Sequence, residues 1–372
     1  MNYHKNIISK YNIKKYIHSD FVDKLNNVRM DFKCYESILN TQNNIVRLIC
    51  TDETMSKVEK VMSDKFMSIS EMMDVDDVIS LISDKNKQRI MSILVISKFI
   101  PLTIIHWIET KCSHYYHISW DNVNIYVLND KPVSQSIIDN IVRITKWIMS
   151  MTTDKSNKSI NLYIYLSEFK KEIGYNGALG TIETNSGVSL TDEWLQIFRK
   201  EELYKVLIHE LLHNLELDYN KPERFTNDVK IIQMHDDSRP ILINEAYTEV
   251  IALYLHSLYI GTMNNLDIWQ LIIDEEKFTI YQINKIFKHY NIVNIKHFSK
   301  PNKFIQHTNI IPYFIIKYLF LLNIKYFVLA FNNNYMTEWL MSRSINKIFK
   351  LQIVKCKVYD KSLKMVYHDI KY

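Results

Sequence analysis

The sequence predicts an α+β protein in which a mainly helical N-terminal domain, residues 1–118, precedes a mixed domain, residues 119–372. Three observations support this prediction. Apolar residues follow helical spacing in much of the first 118 residues, whereas two later stretches alternate like strands around one helical run. A buried helix then begins near Glu201 and is followed by further helical runs. We therefore expect a small mixed sheet beside a largely helical second half.

Composition limits the class of protein. The 372 residues are 47% hydrophobic, which is enough for a sizeable core, and the net charge is only +5, too small to argue for nucleic-acid binding by itself. The four cysteines form no C-x-x-C pair, so they indicate neither a cysteine zinc site nor a redox motif. Residues 1–15 have no apolar core. We therefore expect no signal peptide and an intracellular rather than secreted protein.

The N-terminal domain is expected to pack or to bind a partner, because residues 1–118 contain no chemical motif. Helical spacing occurs at Asp52–Lys65 and Val75–Ile108, with Pro101 expected to break the second run. Two apolar stretches, Ile90–Ile108 and Ile310–Phe331, contain charged residues. Neither is a clean span of about 20 apolar residues, so we predict buried helices rather than membrane spans.

The mixed domain begins with a strand, a helix and a strand, at Asn122–Leu128, Ser134–Met151 and Ser159–Leu166. Four of the five glycines then fall within fourteen residues: Gly174, Gly177, Gly180 and Gly187. Glycine permits positive φ and close approach of another backbone. Ala178–Ser189 could be an edge strand that offers backbone groups to an extended peptide, or an ordinary hairpin with turn glycines.

The helix predicted between Glu201 and Asp218 has no Gly or Pro, and its leucines recur every four residues. It contains His209-Glu210-Leu211-Leu212-His213, which places both histidines one turn apart on one face. Two imidazoles at that spacing can bind one Zn²⁺, and the glutamate between them can act as a general base. A catalytic zinc also needs a third protein ligand and an open position.

The next helical run supplies candidates for that ligand. Glu245 and Glu249 lie four residues apart in Asn244–Glu249, hence on one helical face. Together with His-Glu-x-x-His, this segment resembles the gluzincin metallopeptidases, of which the thermolysin-like enzymes are the familiar case. The resemblance covers about a dozen residues. It implies a zincin-like fold, with zinc held by His209, His213 and Glu245, and with Glu249 orienting a ligating histidine.

Glu216 offers a competing ligand close to the same helical face, although three residues beyond His213 is awkward for a side chain of the same straight helix. A metzincin pattern would need glycine at position 216 and histidine or aspartate at position 219. The chain has Glu216 and Tyr219 there, which disfavours that family. A helix that holds no metal is the remaining alternative.

The resemblance implies zinc-dependent hydrolysis of peptide bonds in a peptide or protein substrate, with Glu210 as the general base for the attacking water. The oxyanion then needs a further donor, which thermolysin-like enzymes supply from a Tyr or His beyond the motif. His307 and Tyr313 are the candidates, and His307 lies sixty-two positions after Glu245. An ordinary structural role is open for either residue.

A second resemblance concerns residues 185–188 and 197–206, which are similar to uncharacterised His-Glu-x-x-His proteins of large nucleocytoplasmic DNA viruses. It implies action inside an infected cell or in the virion. Two rival functions stay open. The first is a virion or scaffold protein that keeps a zincin fold without catalysis. The second is a nucleic-acid-associated protein that uses the basic stretch Arg343–Lys357. Salt-dependent DNA binding that is lost when Lys347, Lys350 and Lys355 are neutralised would support it.

Overall fold

The protein is represented by a computed structural model. The structure describes residues 52–61, 79–81, 84–97, 99–152, 159–174, 177–219, 241–293, 304–331, 333–348 and 360–369. Within these ranges the chain forms both helices and a mixed sheet, so the predicted α+β class is confirmed.

The sheet of the described residues has six strands in the order β1-β2-β3-β4-β6-β5. β3, β4 and β6 run parallel to one another, and the remaining neighbours are antiparallel. β5 therefore lies at one edge, beside β6. The strands are β1 (Ile79–Leu81), β2 (His114–Trp120), β3 (Val123–Asn129), β4 (Ile160–Tyr165), β5 (Gly187–Leu190) and β6 (Trp194–Ile197).

The helices surround this sheet and form the second half of the described chain. They are α1 (Asp52–Val61), α2 (Asp84–Ile96), α3 (Leu102–Thr110), α4 (Gln135–Ser150), α5 (Thr181–Thr184), α6 (Leu203–Asn214), α7 (Ile243–Asn264), α8 (Ile268–His289), a π-helical segment (Ile311–Ile316) that continues as α9 (Lys317–Leu321), α10 (Ile324–Leu329) and α11 (Asn334–Ile345).

Alternation along the strands divides the core between the two faces of the sheet. Ile125 and Val127 of β3 belong to the large apolar cluster that includes α4, α6 and α7. Tyr126 and Leu128 belong to a smaller cluster with α2 and α3 on the opposite face. Because successive side chains of a strand point to opposite faces, both faces of β3 are buried. The helix α6 packs against one of these two buried faces of the sheet.

Most predicted elements occur where the sequence placed them, but two details were wrong. The run Val75–Ile108, which was expected to be helical, contains the strand β1 at Ile79–Leu81. The proposed edge strand is shorter than Ala178–Ser189, because α5 occupies Thr181–Thr184 and only Gly187–Leu190 forms β5. Pro101, as predicted, separates α2 from α3.

The division into two domains stays a prediction, and β2 lies across its boundary at residue 118 while it pairs with β1 and β3. No helix in the described ranges is long and apolar enough to cross a membrane. The predictions for residues 1–51 lie outside the described residues. So does most of the basic stretch, including Lys350 and Lys355.

Candidate metal centre

The histidine motif lies on α6, a helix that is almost wholly buried. Its apolar residues pack against the sheet, α4 and α7, and eleven of its twelve residues are buried. The residues His209 and Glu210 are each only 6% exposed. Because the helix is buried nearly all round, its polar side chains must find their partners inside the protein.

The imidazoles of His209 and His213 and the carboxylate of Glu245 converge between α6 and α7. Their ligand atoms lie 3.1 Å apart (His209 Nε2 to His213 Nε2), 3.6 Å apart (His209 Nε2 to Glu245 Oε2) and 3.5 Å apart (His213 Nε2 to Glu245 Oε2). Among the described residues this group, which we call the metal group, could hold a metal ion. Tetrahedral ligands at about 2.0–2.1 Å from one Zn²⁺ lie about 3.3 Å apart, so the spacing fits that ion.

Each imidazole of the metal group has a carboxylate at its other nitrogen. Nδ1 of His209 lies 3.0 Å from Oε2 of Glu249, and Nδ1 of His213 lies 2.6 Å from Oδ2 of Asp218. Metal-ligating histidines usually have such a partner, because it fixes the ring orientation and leaves Nε2 for the ion. Both rings are therefore oriented for coordination.

Negative charge dominates the electrostatics of this region. Burial opposes charge on His213, but the carboxylates of Glu245 and Asp218 outweigh it and raise its pKa well above the usual value. Hydrogen bonds to Glu245 and Glu249 likewise raise the pKa of His209 against the effect of burial. The pKa of Glu245 is lowered because both histidines face it. Such a donor set stabilises a cation between the side chains.

Glu210 lies beside the metal group and against the edge strand. A Cβ atom on Gly187, the first residue of β5, would lie 2.6 Å from Oε1 of Glu210 and 2.8 Å from Cγ1 of Val206. Only glycine lets the strand approach α6 this closely. Burial raises the pKa of Glu210, against the effect of the two neighbouring histidines. A raised pKa makes a carboxylate a stronger base, which suits a group that accepts a proton and later returns it.

Tyr313 and His307, the two predicted donors, differ in position. Tyr313 lies in the π-helical segment, its hydroxyl is 3.3 Å from Oε2 of Glu245, and its ring is 6.3 Å from that of His209. Single turns of π-helix are frequent at functional sites. His307 is exposed, and its backbone N–H donates to the carbonyl of Leu179. The structure thus brings Tyr313, and not His307, to the metal group.

The competing ligand Glu216 lies outside the metal group. It is exposed and follows the end of α6 with a left-handed φ of 54°. This reversal brings back the next residues, so that Asp218 reaches His213. Asp218 was not predicted from the sequence. The available signal was an acidic residue five positions after the second histidine, just beyond the end of the helix.

A cleft of about 320 Å³, including space open to solvent, adjoins the metal group. Its walls come from α6, the segment before β5, α7, the π-helical segment and residues near both 171 and 365. Comparisons with protein-family models, with curated proteins and with solved structures found no match for this chain.

Proposed function

We propose that this protein is a zinc-dependent metallopeptidase, in which His209, His213 and Glu245 hold the ion. The observation that supports it is the triangle of three ligand atoms, 3.1–3.6 Å on a side, with the carboxylate of Glu210 beside it in a cleft. A carboxyl group with a shifted pKa, a set of metal ligands and a cleft therefore occur together, as expected for an active site.

The chemistry of the donors supports zinc. Two histidines and one glutamate are the protein ligands of one class of catalytic zinc site, in which the fourth position stays open. Calcium and magnesium prefer oxygen donors, whereas imidazole suits zinc and neighbouring transition metals. The gluzincin resemblance of the two motifs agrees with this choice. We propose on the same basis that residues 119–372 form a zincin-like domain.

A bound zinc ion would supply Lewis acidity toward the scissile carbonyl and toward water. Glu210 accepts the proton of the attacking water and passes it to the leaving amine, and its raised pKa suits both transfers. The hydroxyl of Tyr313 donates to the developing oxyanion. Its pKa is raised well above the usual value by burial and by Glu245, so it stays protonated at neutral pH.

The edge of the sheet offers a place for the substrate backbone. β5 pairs with β6 on one side only, within the described sheet, and its first residue touches Glu210. An extended peptide can add to such an edge through main-chain hydrogen bonds. The scissile bond would then lie close to both Glu210 and the metal group. Peptides and proteins are accordingly the proposed substrates.

The test is peptide cleavage together with metal analysis on the same preparation. Glu210→Gln is expected to bind one zinc ion per chain and to lose turnover, because the amide cannot accept the proton. Glu216→Gln, a matched change just beyond the same helix, is expected to retain both zinc and cleavage. Full cleavage by Glu210→Gln would contradict the proposal. Zinc binding without cleavage of any library peptide would favour the non-catalytic scaffold role instead.

A further inference from the structure

One wall of the cleft beside the metal group comes from the C-terminal part of the described chain. Met365 lines this cleft and is only 4% exposed. Its sulfur lies 4.0 Å from Nζ of Lys205. Lys205 precedes His209 by four residues, which is about one turn of α6. Met365 therefore lines the cleft on the side of the beginning of α6.

The backbone of Met365 is held by hydrogen bonds to buried charged side chains. Its N–H and the N–H of Val366 both donate to Oε1 of Glu202. Its carbonyl accepts a hydrogen bond of 2.8 Å from Nζ of Lys317. Hydrogen bonds to ionised groups are stronger than those between neutral groups. They hold the side chain of Met365 against the cleft, although no helix or strand contains this residue.

The buried lysines of the cleft wall already have carboxylate partners. Lys171 pairs with Glu202, and Lys205 donates to both carboxylate oxygens of Glu249. An anionic substrate side chain would compete with these glutamates for the ammonium groups, and a cationic one would be repelled by the same ammonium groups. Burying a charge that has no partner of its own is strongly unfavourable. This part of the cleft therefore suits an uncharged side chain.

The cleft is also small. Its volume of about 320 Å³, which includes space open to solvent, is at the lower end of the range for ligand pockets. Val206 and Met365 are both buried and supply apolar side chains to the wall. Because protein interiors are close-packed, a large substrate side chain could enter only if one of these side chains moved.

The edge of the sheet determines which substrate side chain points into the cleft. Gly187 faces α6, since a Cβ atom on it would lie within 3 Å of Glu210 and Val206. Residues that lie opposite each other on paired strands point to the same face of the sheet. A substrate residue opposite Gly187 on the edge of β5 would therefore direct its side chain toward α6 and into the cleft, beside the proposed general base.

We infer that the cleft selects substrates with a small uncharged side chain, such as alanine or valine, next to the scissile bond, and that Met365 sets the upper limit of its size. This inference rests on the proposed peptidase function. Met365 is thus a specificity-determining residue, which contacts the substrate side chain and takes no part in breaking the bond.

The experiment measures kcat/KM of the zinc-loaded wild-type protein on two series of peptides derived from one cleaved library peptide. The residue before the cleaved bond is alanine, valine, leucine, phenylalanine, glutamate or lysine in one series, and the residue after it varies likewise in the other. A misfit of one methylene group in an apolar pocket changes kcat/KM by about tenfold or more. In one series, alanine and valine should therefore exceed phenylalanine by at least about tenfold. Glutamate and lysine should be at least about 100-fold poorer.

Variants then assign the size limit to Met365. Met365→Ala should raise the ratio of kcat/KM for phenylalanine to that for alanine by at least about tenfold, because it enlarges the cleft. Met365→Leu conserves the volume and should keep the wild-type ratio. Met341→Ala is the matched control and should also keep it, since Met341 is equally buried on α11 and is not part of the cleft wall. Both substrates are measured on one preparation, so partial loss of folded protein does not change the ratio.

If Met365→Ala does not fold, Val206→Ala enlarges the same cleft from α6 and should raise the ratio likewise. Wild-type cleavage of the alanine and phenylalanine peptides within twofold in both series would overturn this inference and leave the peptidase proposal intact. An unchanged ratio in the enlarged variant would do the same. Absence of cleavage for every peptide, despite bound zinc, would overturn the peptidase proposal and the inference with it.

Discussion

The two ends of the cleft balance their buried charges in different ways. At one end the carboxylates around His209 and His213 raise the pKa of both histidines, although burial opposes this. At the other end three buried lysines, Lys171, Lys205 and Lys317, which we call the lysine cluster, pair with the carboxylates of Glu202 and Glu249. Burial lowers the pKa of Lys317 to about 8, although the neighbouring carboxylates oppose this shift. The first end therefore has a donor set suited to a cation, whereas the second end already holds its own counter-ions.

Glu249 joins the two ends. One of its oxygens lies 3.0 Å from Nδ1 of His209, and the same carboxylate accepts hydrogen bonds from Lys205. Lys317 approaches it within 3.6 Å. Glu249 therefore contacts a candidate ligand and is also the partner of two buried lysines. We expect its loss to affect both the stability of the fold and the geometry of the metal group.

Replacing Glu249 should give the largest effect, because it breaks both ends at once. Glu249→Ala leaves two buried ammonium groups without their partner, which costs roughly 3–5 kcal/mol of unfolding free energy. It should also weaken zinc binding by about 10- to 100-fold. Urea denaturation and a zinc competition titration measure the two effects. Glu168→Ala, at an exposed pair, is the control, and an equal loss there would contradict the assigned role.

A substitution at Gly187 disturbs the metal end alone. The added methyl group of Gly187→Ala would meet Glu210 and Val206 within 3 Å, so the carboxylate must move. Displacement of a catalytic group by about 1 Å can cost on the order of 100-fold in rate. We expect kcat/KM to fall by that order with zinc content unchanged. Gly174→Ala, where a Cβ atom would make only an ordinary contact of 3.7 Å with Glu183, is the comparison for glycine loss as such.

The pKa of His256 depends on how far water is excluded from the region around the lysine cluster. It is fully buried on α7, and burial, with Lys205 and His368 nearby, lowers its pKa to about 3. Because the unfolded chain binds a proton below about pH 6.5 and the folded chain does not, stability is lost as pH falls from 6.5 toward 3. At pH 5 this amounts to about 2 kcal/mol.

The matching variant is His256→Leu, which removes the titrating group. Its gain in unfolding free energy relative to wild type should be larger at pH 5 than at pH 8, by about the same 2 kcal/mol. Urea titrations at both pH values measure it. A gain in unfolding free energy that is the same at both pH values would contradict this. It would mean that water reaches His256 and that the region around the lysine cluster is more hydrated than its burial indicates.

Asp218 gives the smallest expected effect and concerns the metal end only. Asp218→Asn keeps a side chain beside Nδ1 of His213 but removes its charge, so zinc affinity should fall by about tenfold. The free energy of unfolding of the metal-free protein should change less than in Glu249→Ala, since no lysine depends on Asp218. Zinc affinity equal to the wild type would show that Asp218 does not support His213.

Local spacing predicted the two pairs of side chains at the metal centre. His209 and His213 share a helical face by their four-residue separation, and Glu245 and Glu249 do so on the next helix. That Glu245 would lie beside the histidines was implied by the resemblance to gluzincins and not by any local spacing. Asp218 was missed because its approach depends on the left-handed turn at Glu216, which no side-chain pattern specifies. Tyr313 could be named from the sequence, but only packing separates it from His307.

The lysine cluster was beyond sequence reasoning for a different reason. Its members come from a loop, from α6 and from α9, so only tertiary structure brings them together. Lysine side chains usually lie at the surface, so the sequence gives no reason to expect a buried group of them. In the sequence, Lys317 is only one of the charged residues that speak against a membrane span over Ile310–Phe331. The carboxylates of Glu202 and Glu275 accept hydrogen bonds from backbone N–H groups of residues 360–369. The sequence of that segment shows no pattern that predicts these contacts.

We propose that α6 and α7 hold one zinc ion through His209, His213 and Glu245. The decisive experiment is native mass spectrometry of metal-free protein titrated with zinc, in which the wild type is compared with the double variant His209→Ala with His213→Ala. We predict one zinc ion per wild-type chain and none on the folded double variant. No bound zinc on the wild type, or equal zinc on both proteins, would contradict the claim.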